Sequence, residues 1–239
     1  MITCIVQARM GSQRLPGKVI KEVMGYPLIL LNLKRLAKSR KIDNLILATS
    51  NKAEDDLLHE VVRAAGYKVF RGDEDNVLKR YGDCVMEHGG DIIVRVTGDC
   101  PFIDPDIVDN VISHYQIYNY DYIRLDVPDS FIRGFDVEVF SREALEKTFD
   151  MASEDRHKEH VTAFMYHHPE LFSIGKVCGE SLYNKDYRLC VDTIEDFTLV
   201  TRVFEHFNDV YVPARNVVQF LDNNPDIAAI NKEVAQKHI

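Results

Sequence analysis

Apolar residues in the first half of the chain fall in short runs, separated by stretches with helical spacing. Ile2-Thr3-Cys4-Ile5-Val6 reads as a buried strand. Residues 27–37 are helical by composition, with Leu28, Leu31 and Leu36 on one face and Lys34, Arg35 and Lys38 turned to solvent or substrate. Residues 44–49 form a second strand, and residues 54–65 an amphipathic helix with Leu57, Leu58, Val61 and Val62 inward. A third strand at 67–70, a helix at 75–88 closed by Gly89-Gly90, and a fourth strand at 91–96 complete this half. Strand and helix alternate with short turns, which calls for an α/β fold with a doubly wound, mostly parallel sheet. Ligands of such sheets bind outside the carboxyl ends of the strands, so the turns after Val6 and Val96 are expected to converge.

From residue 120 the pattern changes. Residues 120–125 and 135–140 are strand-like with no clear helix between them, so antiparallel additions are expected. Ser141 is placed to cap a short helix, with another at 153–167. Residues 171–177 and 188–191 read as strands, the second a core strand ended by Asp192-Thr193, and helices at 195–207, 214–221 and 226–238 follow. With no linker, repeat or low-complexity tract, the expectation is a single domain over 1–239 carrying an antiparallel insertion at about 120–180.

Composition narrows the class. The chain has 239 residues, 46% hydrophobic and 28% charged, ordinary for a globular enzyme. No apolar run approaches a membrane span, and the start shows no leader pattern, so a cytoplasmic protein is expected. A net charge of -9 argues against nucleic acid as partner but not against a small anionic substrate, for which the local field decides. The five cysteines are scattered without C-x-x-C spacing, which excludes a zinc ribbon or a disulfide framework.

The local field is distinctive after the first strand. Gln7-Ala8-Arg9-Met10-Gly11-Ser12-Gln13-Arg14-Leu15-Pro16-Gly17-Lys18 gathers Arg9, Arg14 and Lys18 in one loop, with two glycines that let the backbone turn and approach a ligand. Exposed N–H groups with fixed cations suit a polyanion such as phosphate, and arginine adds a planar donor fork. The loop matches neither the Walker nor the dinucleotide pattern; the alternative is a basic surface turn. In Thr97-Gly98-Asp99-Cys100-Pro101, Asp99 is either a Mg²⁺ ligand or a turn aspartate before proline. Asp104 and Asp106 read as helix-start residues. Asp192 and Thr193 are good N-caps, with Glu195 placed for a capping box. Arg71 and Arg80 are either solvated surface or nucleotide contacts.

Ala8-Arg9, Ser12, Arg14-Leu15-Pro16-Gly17-Lys18 and Gly25-Tyr26-Pro27-Leu28-Ile29 together resemble the signature of the CMP-sugar synthetases, the cytidylyltransferases that activate 3-deoxy-manno-octulosonate and the sialic acids. The resemblance implies a nucleotide-diphospho-sugar transferase-like fold and a loop that wraps the triphosphate of CTP. Gln7, Ala8, Arg9, Gly11, Ser12, Arg14, Lys18, Arg71 and Gly98 would then bind nucleotide. Arg9, Lys18 and Asp99 would be catalytic, and Asp99 and Asp192 would hold Mg²⁺. Arg133-Gly134-Phe135-Asp136-Val137-Glu138 resembles a family Gly-x-Asp-x-Glu stretch. Lys158-Glu159-His160-Val161-Thr162 resembles its Arg-Glu-His-Val-Thr, with lysine in place of arginine. Asp136, Glu138, Glu159 and His160 are the acceptor candidates so implied, with a structural role the alternative for His160. The 120–180 segment would bind acceptor and form a homodimer. The expected reaction joins CTP to a 2-keto-3-deoxy sugar acid and releases pyrophosphate, for a surface or spore-coat polysaccharide. The alternatives are a nucleotidyltransferase acting on a sugar 1-phosphate, or a catalytically silent nucleotide-binding protein.

Overall fold

A computed structural model describes residues 1–236. β1 (Ile2–Gln7) leads through the loop to a small hairpin, β2 (Glu22–Val23) and β3 (Tyr26–Pro27), then to α1 (Leu28–Leu36), β4 (Asn44–Ser50), α2 (Asp56–Ala64), β5 (Lys68–Gly72), α3 (Val77–His88), β6 (Ile92–Thr97) and α4 (Pro105–Tyr118). The second half runs β7 (Tyr122–Leu125), β8 (Glu138–Ser141), α5 (Arg142–Met151), α6 (Asp155–Glu159), α7 (Ala163–His167), β9 (Ile174–Val177), α8 (Ile194–Phe207), α9 (Ala214–Asn223) and α10 (Pro225–Ala228).

Seven strands form one sheet in the order β5-β4-β1-β6-β8-β7-β9. β1 pairs in parallel with β4 and β6, and β4 in parallel with β5. The antiparallel character expected after residue 120 resides in β8, which runs against both β6 and β7, while β9 is parallel to β7. The fold is thus the expected α/β, mostly parallel sheet.

Apolar runs in the central strands have both faces to cover. One face packs on α1, α2, α4, α8 and α9 through residues such as Leu31, Val111, Val203 and Val218. The other packs on α3, α5 and α7 through Tyr81, Leu145 and Met165 against Ile5, Ile93 and Phe140. Each such large apolar side chain contributes about 1.5–3 kcal/mol when fully buried.

Periodicity alone misplaced several positions. Leu57 is 48% exposed, because α2 begins at Asp56 and buries Leu58 and Val62, four apart. Arg35 is 1% exposed and faces inward, where it donates to the carbonyls of Ile103, Phe102 and Val210; burial brings its guanidinium down to about 10. The helix expected over 153–167 divides into α6 and α7, separated by Val161 at φ 27°. Residues 188–191 form no strand: β6 already has β1 and β8 beside it, and the segment makes one isolated bridge, Arg133 to Arg188. Beyond α10 the chain turns rather than continuing as a helix, and the end of the 226–238 expectation lies outside the described residues.

Candidate active site

The cationic loop is pinned where it leaves β1. Met10 N donates to Asp55 Oδ1 at 2.7 Å, and the other oxygen of Asp55 accepts from Ser50 N at 3.1 Å. Asp55, 2% exposed, therefore ties the loop to the end of β4. The sequence marked it only as part of a helix start. β6 approaches from the other side, where Gly98 N donates to Gln7 O at 2.9 Å. A Cβ on Gly98 would lie 2.8 Å from both Ala8 Cβ and Ile29 Cδ1, so only glycine permits this approach.

These constraints give a cavity of about 570 Å³ lined by Gln7, Ala8, Arg9, Gly11, Ser12, Arg14, Lys18, Arg80, Gly98, Asp99, Glu159, His160 and Asp192, among others. Arg71 is not among them. Its guanidinium donates to Ser50 O and Lys52 O and pairs with Asp56 at 2.7 Å, which corrects the nucleotide contact expected of it. Arg80 is 2% exposed, donates to Asp73 O, and lines the cavity.

Lys18 is the hub of the floor. Its Nζ donates to Asp99 Oδ2 at 2.8 Å, Asp192 Oδ1 at 2.8 Å and Val191 O at 2.7 Å. Burial alone would lower the affinity of Lys18 for its proton. The two carboxylates outweigh that and hold the ammonium charged, and Lys18 in turn keeps partly buried Asp99 below the ordinary carboxylate range. Arg14 Nη2 reaches Asp192 Oδ2 at 2.8 Å, and Arg188 bonds the same oxygen while pairing with Asp196. Sequence reading assigned Arg188 to a strand and missed this role. Thr193 does cap α8, but with Asp196 rather than Glu195 completing the box.

The point on which these two carboxylates converge is the Lys18 ammonium, and among the described residues no group of three or more His, Cys, Asp or Glu side chains is placed to hold a metal ion.

A second cavity, about 280 Å³, continues from the first. Thr97, Asp99, His160 and Asp192 line both. Asp136 lines the second, accepting from Gly134 N at 2.7 Å, and burial holds its carboxyl above the ordinary range. Glu138 also lines it, with its oxygens in use: Oε2 pairs with Arg95, while Oε1 accepts from Tyr122 Oη at 2.5 Å and Thr162 Oγ1 at 2.7 Å. Glu138 thereby holds Arg95 in place. Burial, reinforced by the charge of Asp99, pushes the Cys100 thiol well up, so it is a poor nucleophile.

A family model described as cytidylyltransferase matches residues 3–227. An uncharacterized protein of Methanocaldococcus jannaschii is 38% identical over 98% of this chain and 95% of its own. The spore coat polysaccharide biosynthesis protein SpsF of Bacillus subtilis is 35% identical over 95% and 96%. The 3-deoxy-manno-octulosonate cytidylyltransferase of Geobacter sulfurreducens is 32% identical over 47% of this chain and 44% of its own. Among solved structures, a cytidylyltransferase from Leptospira borgpetersenii superposes with a TM-score of 0.90 at 29% identity, covering 99% of both chains. Fold, loop and sequence agree: this chain belongs to the cytidylyltransferase family.

Proposed function

We propose that the protein transfers the cytidylyl group of CTP to a 2-keto-3-deoxy sugar acid with release of pyrophosphate, in the cytoplasm and for a surface polysaccharide. The observation that carries this reading is the junction of two cavities at Asp99 and Asp192: one cavity is bordered by the cationic loop, the other by arginines. A triphosphate suits the first and an anionic acceptor the second. The octulosonate activity and the spore-coat role in the names of two relatives support the same choice.

In this mechanism Arg9, Arg14 and Lys18 bind the triphosphate, and Gly11 and Ser12 allow the loop to lie close to it. Asp99 and Asp192 would hold Mg²⁺, which supplies charge neutralisation at the α-phosphate. The anomeric hydroxyl attacks the α-phosphorus in line and gives up its proton to solvent; the bond to the β,γ-diphosphate breaks, and the cations stabilise the departing pyrophosphate. His160, which lines both cavities, would contact the acceptor beside the reacting phosphate, and Asp136 would do so from the second cavity; Glu159, expected on the acceptor, lines only the first cavity. Such a transfer depends on positioning and electrostatics rather than a covalent protein nucleophile.

The reading includes a homodimer formed in part by the 120–180 segment, supported by exposed Phe149 and Met151 and checked by light scattering. The function itself is tested by melting temperature with CTP, ATP, GTP and UTP, each with and without Mg²⁺, since a ligand of the folded state raises it. A shift for CTP, strengthened by Mg²⁺, supports the reading. A larger shift with another nucleotide moves the protein to a different nucleotidyl transfer, and none with any nucleotide removes the basis for the phosphate loop.

A further inference from the structure

The register of the sheet sets four charged residues side by side, Arg95 on β6 opposite Glu138 on β8, Glu138 opposite Arg124 on β7, and Arg124 opposite Lys176 on β9, and the first three line the second cavity. Cross-strand partners project from the same face. Three arginines of this region line the cavity, and two have carboxylates at hand: Arg95 pairs with Glu138, and Arg133 stands 3.6 Å from Asp136. Arg124 has no such partner among the described residues. Glu138, its neighbour in the row, is engaged by Arg95, Tyr122 and Thr162, and Asp126, just past the end of β7, pairs with Lys176 at 2.8 Å. The half-buried Arg124 guanidinium instead lies 5.6 Å from the centre of the Tyr166 ring, which also lines the cavity. Stacking on an aromatic face fixes the guanidinium plane while leaving its edge donors available, the arrangement that suits a bidentate carboxylate.

We propose that Arg124, positioned by Tyr166, binds the carboxylate of the acceptor acid and makes this cavity selective for acids over neutral sugars. The inference rests on the cytidylyltransferase reading above. Arg95 and Arg133 each have a carboxylate within 4 Å, whereas Arg124 has none among the described residues and brings the charge that an acid must meet. A forked pair to a carboxylate confers a preference of about 10- to 100-fold over an uncharged isostere.

The test follows pyrophosphate release from CTP with 3-deoxy-manno-octulosonate or N-acetylneuraminate as acceptor, each compared with its 1-carboxamide. Wild type, Arg124→Gln and Arg124→Lys are assayed, and the melting rise with CTP is measured for each to establish that the nucleotide site is folded. The expected result is an acid-over-amide ratio of kcat/KM that collapses to within a few-fold in Arg124→Gln, through a raised KM for the acid. Arg124→Lys restores the ratio in part, and the CTP response is retained throughout. An unchanged ratio in Arg124→Gln overturns the assignment of Arg124 and leaves the cytidylyl reading standing. A wild-type enzyme that uses neither acid, or does not distinguish acid from amide, overturns the acid-acceptor reading and this inference with it.

Discussion

Lys18 Nζ donates to Asp99 Oδ2 across 2.8 Å, joining residues 81 apart in the chain. The same nitrogen holds Asp192, so one ammonium ties the phosphate loop to both carboxylates at the junction of the cavities. Lys18→Met is therefore expected to leave two partly buried carboxylates with a diminished counter-charge. Turnover should fall about 100- to 1,000-fold, as for the loss of one preorganised electrostatic contact. Pyrophosphate release at saturating CTP measures it, and a loss below tenfold would remove Lys18 from the catalytic set.

Asp99→Asn and Asp192→Asn keep the shape of the site and delete one negative charge each. Both are expected to lose about 100-fold or more in kcat, with the Mg²⁺-dependent part of the CTP-induced melting shift reduced. Titration of activity against Mg²⁺ checks it; an unaltered metal requirement in both variants would refute the assigned ligands.

Glu138 predicts a stability effect with a defined pH dependence. Burial would raise its pKa, but Arg95 and the hydroxyls of Tyr122 and Thr162 outweigh this and hold it below the ordinary 4.5. A depressed carboxyl stabilises the fold above the unfolded value, and that contribution disappears as pH falls through the folded one. Glu138→Gln leaves the largely buried Arg95 without its carboxylate, at an expected cost of about 3 kcal/mol near neutral pH. Melting curves should show the gap between wild type and variant wide above pH 5 and closing below about pH 4.

Gly98→Ala places a methyl group 2.8 Å from Ala8 Cβ and Ile29 Cδ1, where β6 passes the start of the loop. The expected result is a loss of about 1–3 kcal/mol from overpacking, with weaker CTP binding because the loop is displaced. Denaturant unfolding and the CTP-induced melting shift measure the two effects separately.

Much of this was legible in the sequence. Alternating apolar runs gave the parallel strands up to β6, and the cluster Arg9, Arg14 and Lys18 marked the cavity that the fold then built. Other features depend on tertiary partners that periodicity does not see. Arg35 looks solvated on its own helix, yet three carbonyls from other segments receive its donors in the core. Arg71 is expected just after a strand, as a ligand residue might be, but it lies within β5, and Asp56 and two carbonyls turn it aside. Asp55 resembles any first-turn aspartate until Met10 N is found on it. Glu138 and Arg124 differ in role only because cross-strand register gives one carboxylate to Arg95 and none to Arg124.

The most direct measurement is transfer of label from CTP carrying a radioactive α-phosphate to 3-deoxy-manno-octulosonate or N-acetylneuraminate, resolved by chromatography. Label in a CMP-sugar product, formed with equimolar pyrophosphate and abolished in Asp99→Asn, is the predicted result. Label that stays in CTP with both acids but moves to a sugar 1-phosphate would contradict the account.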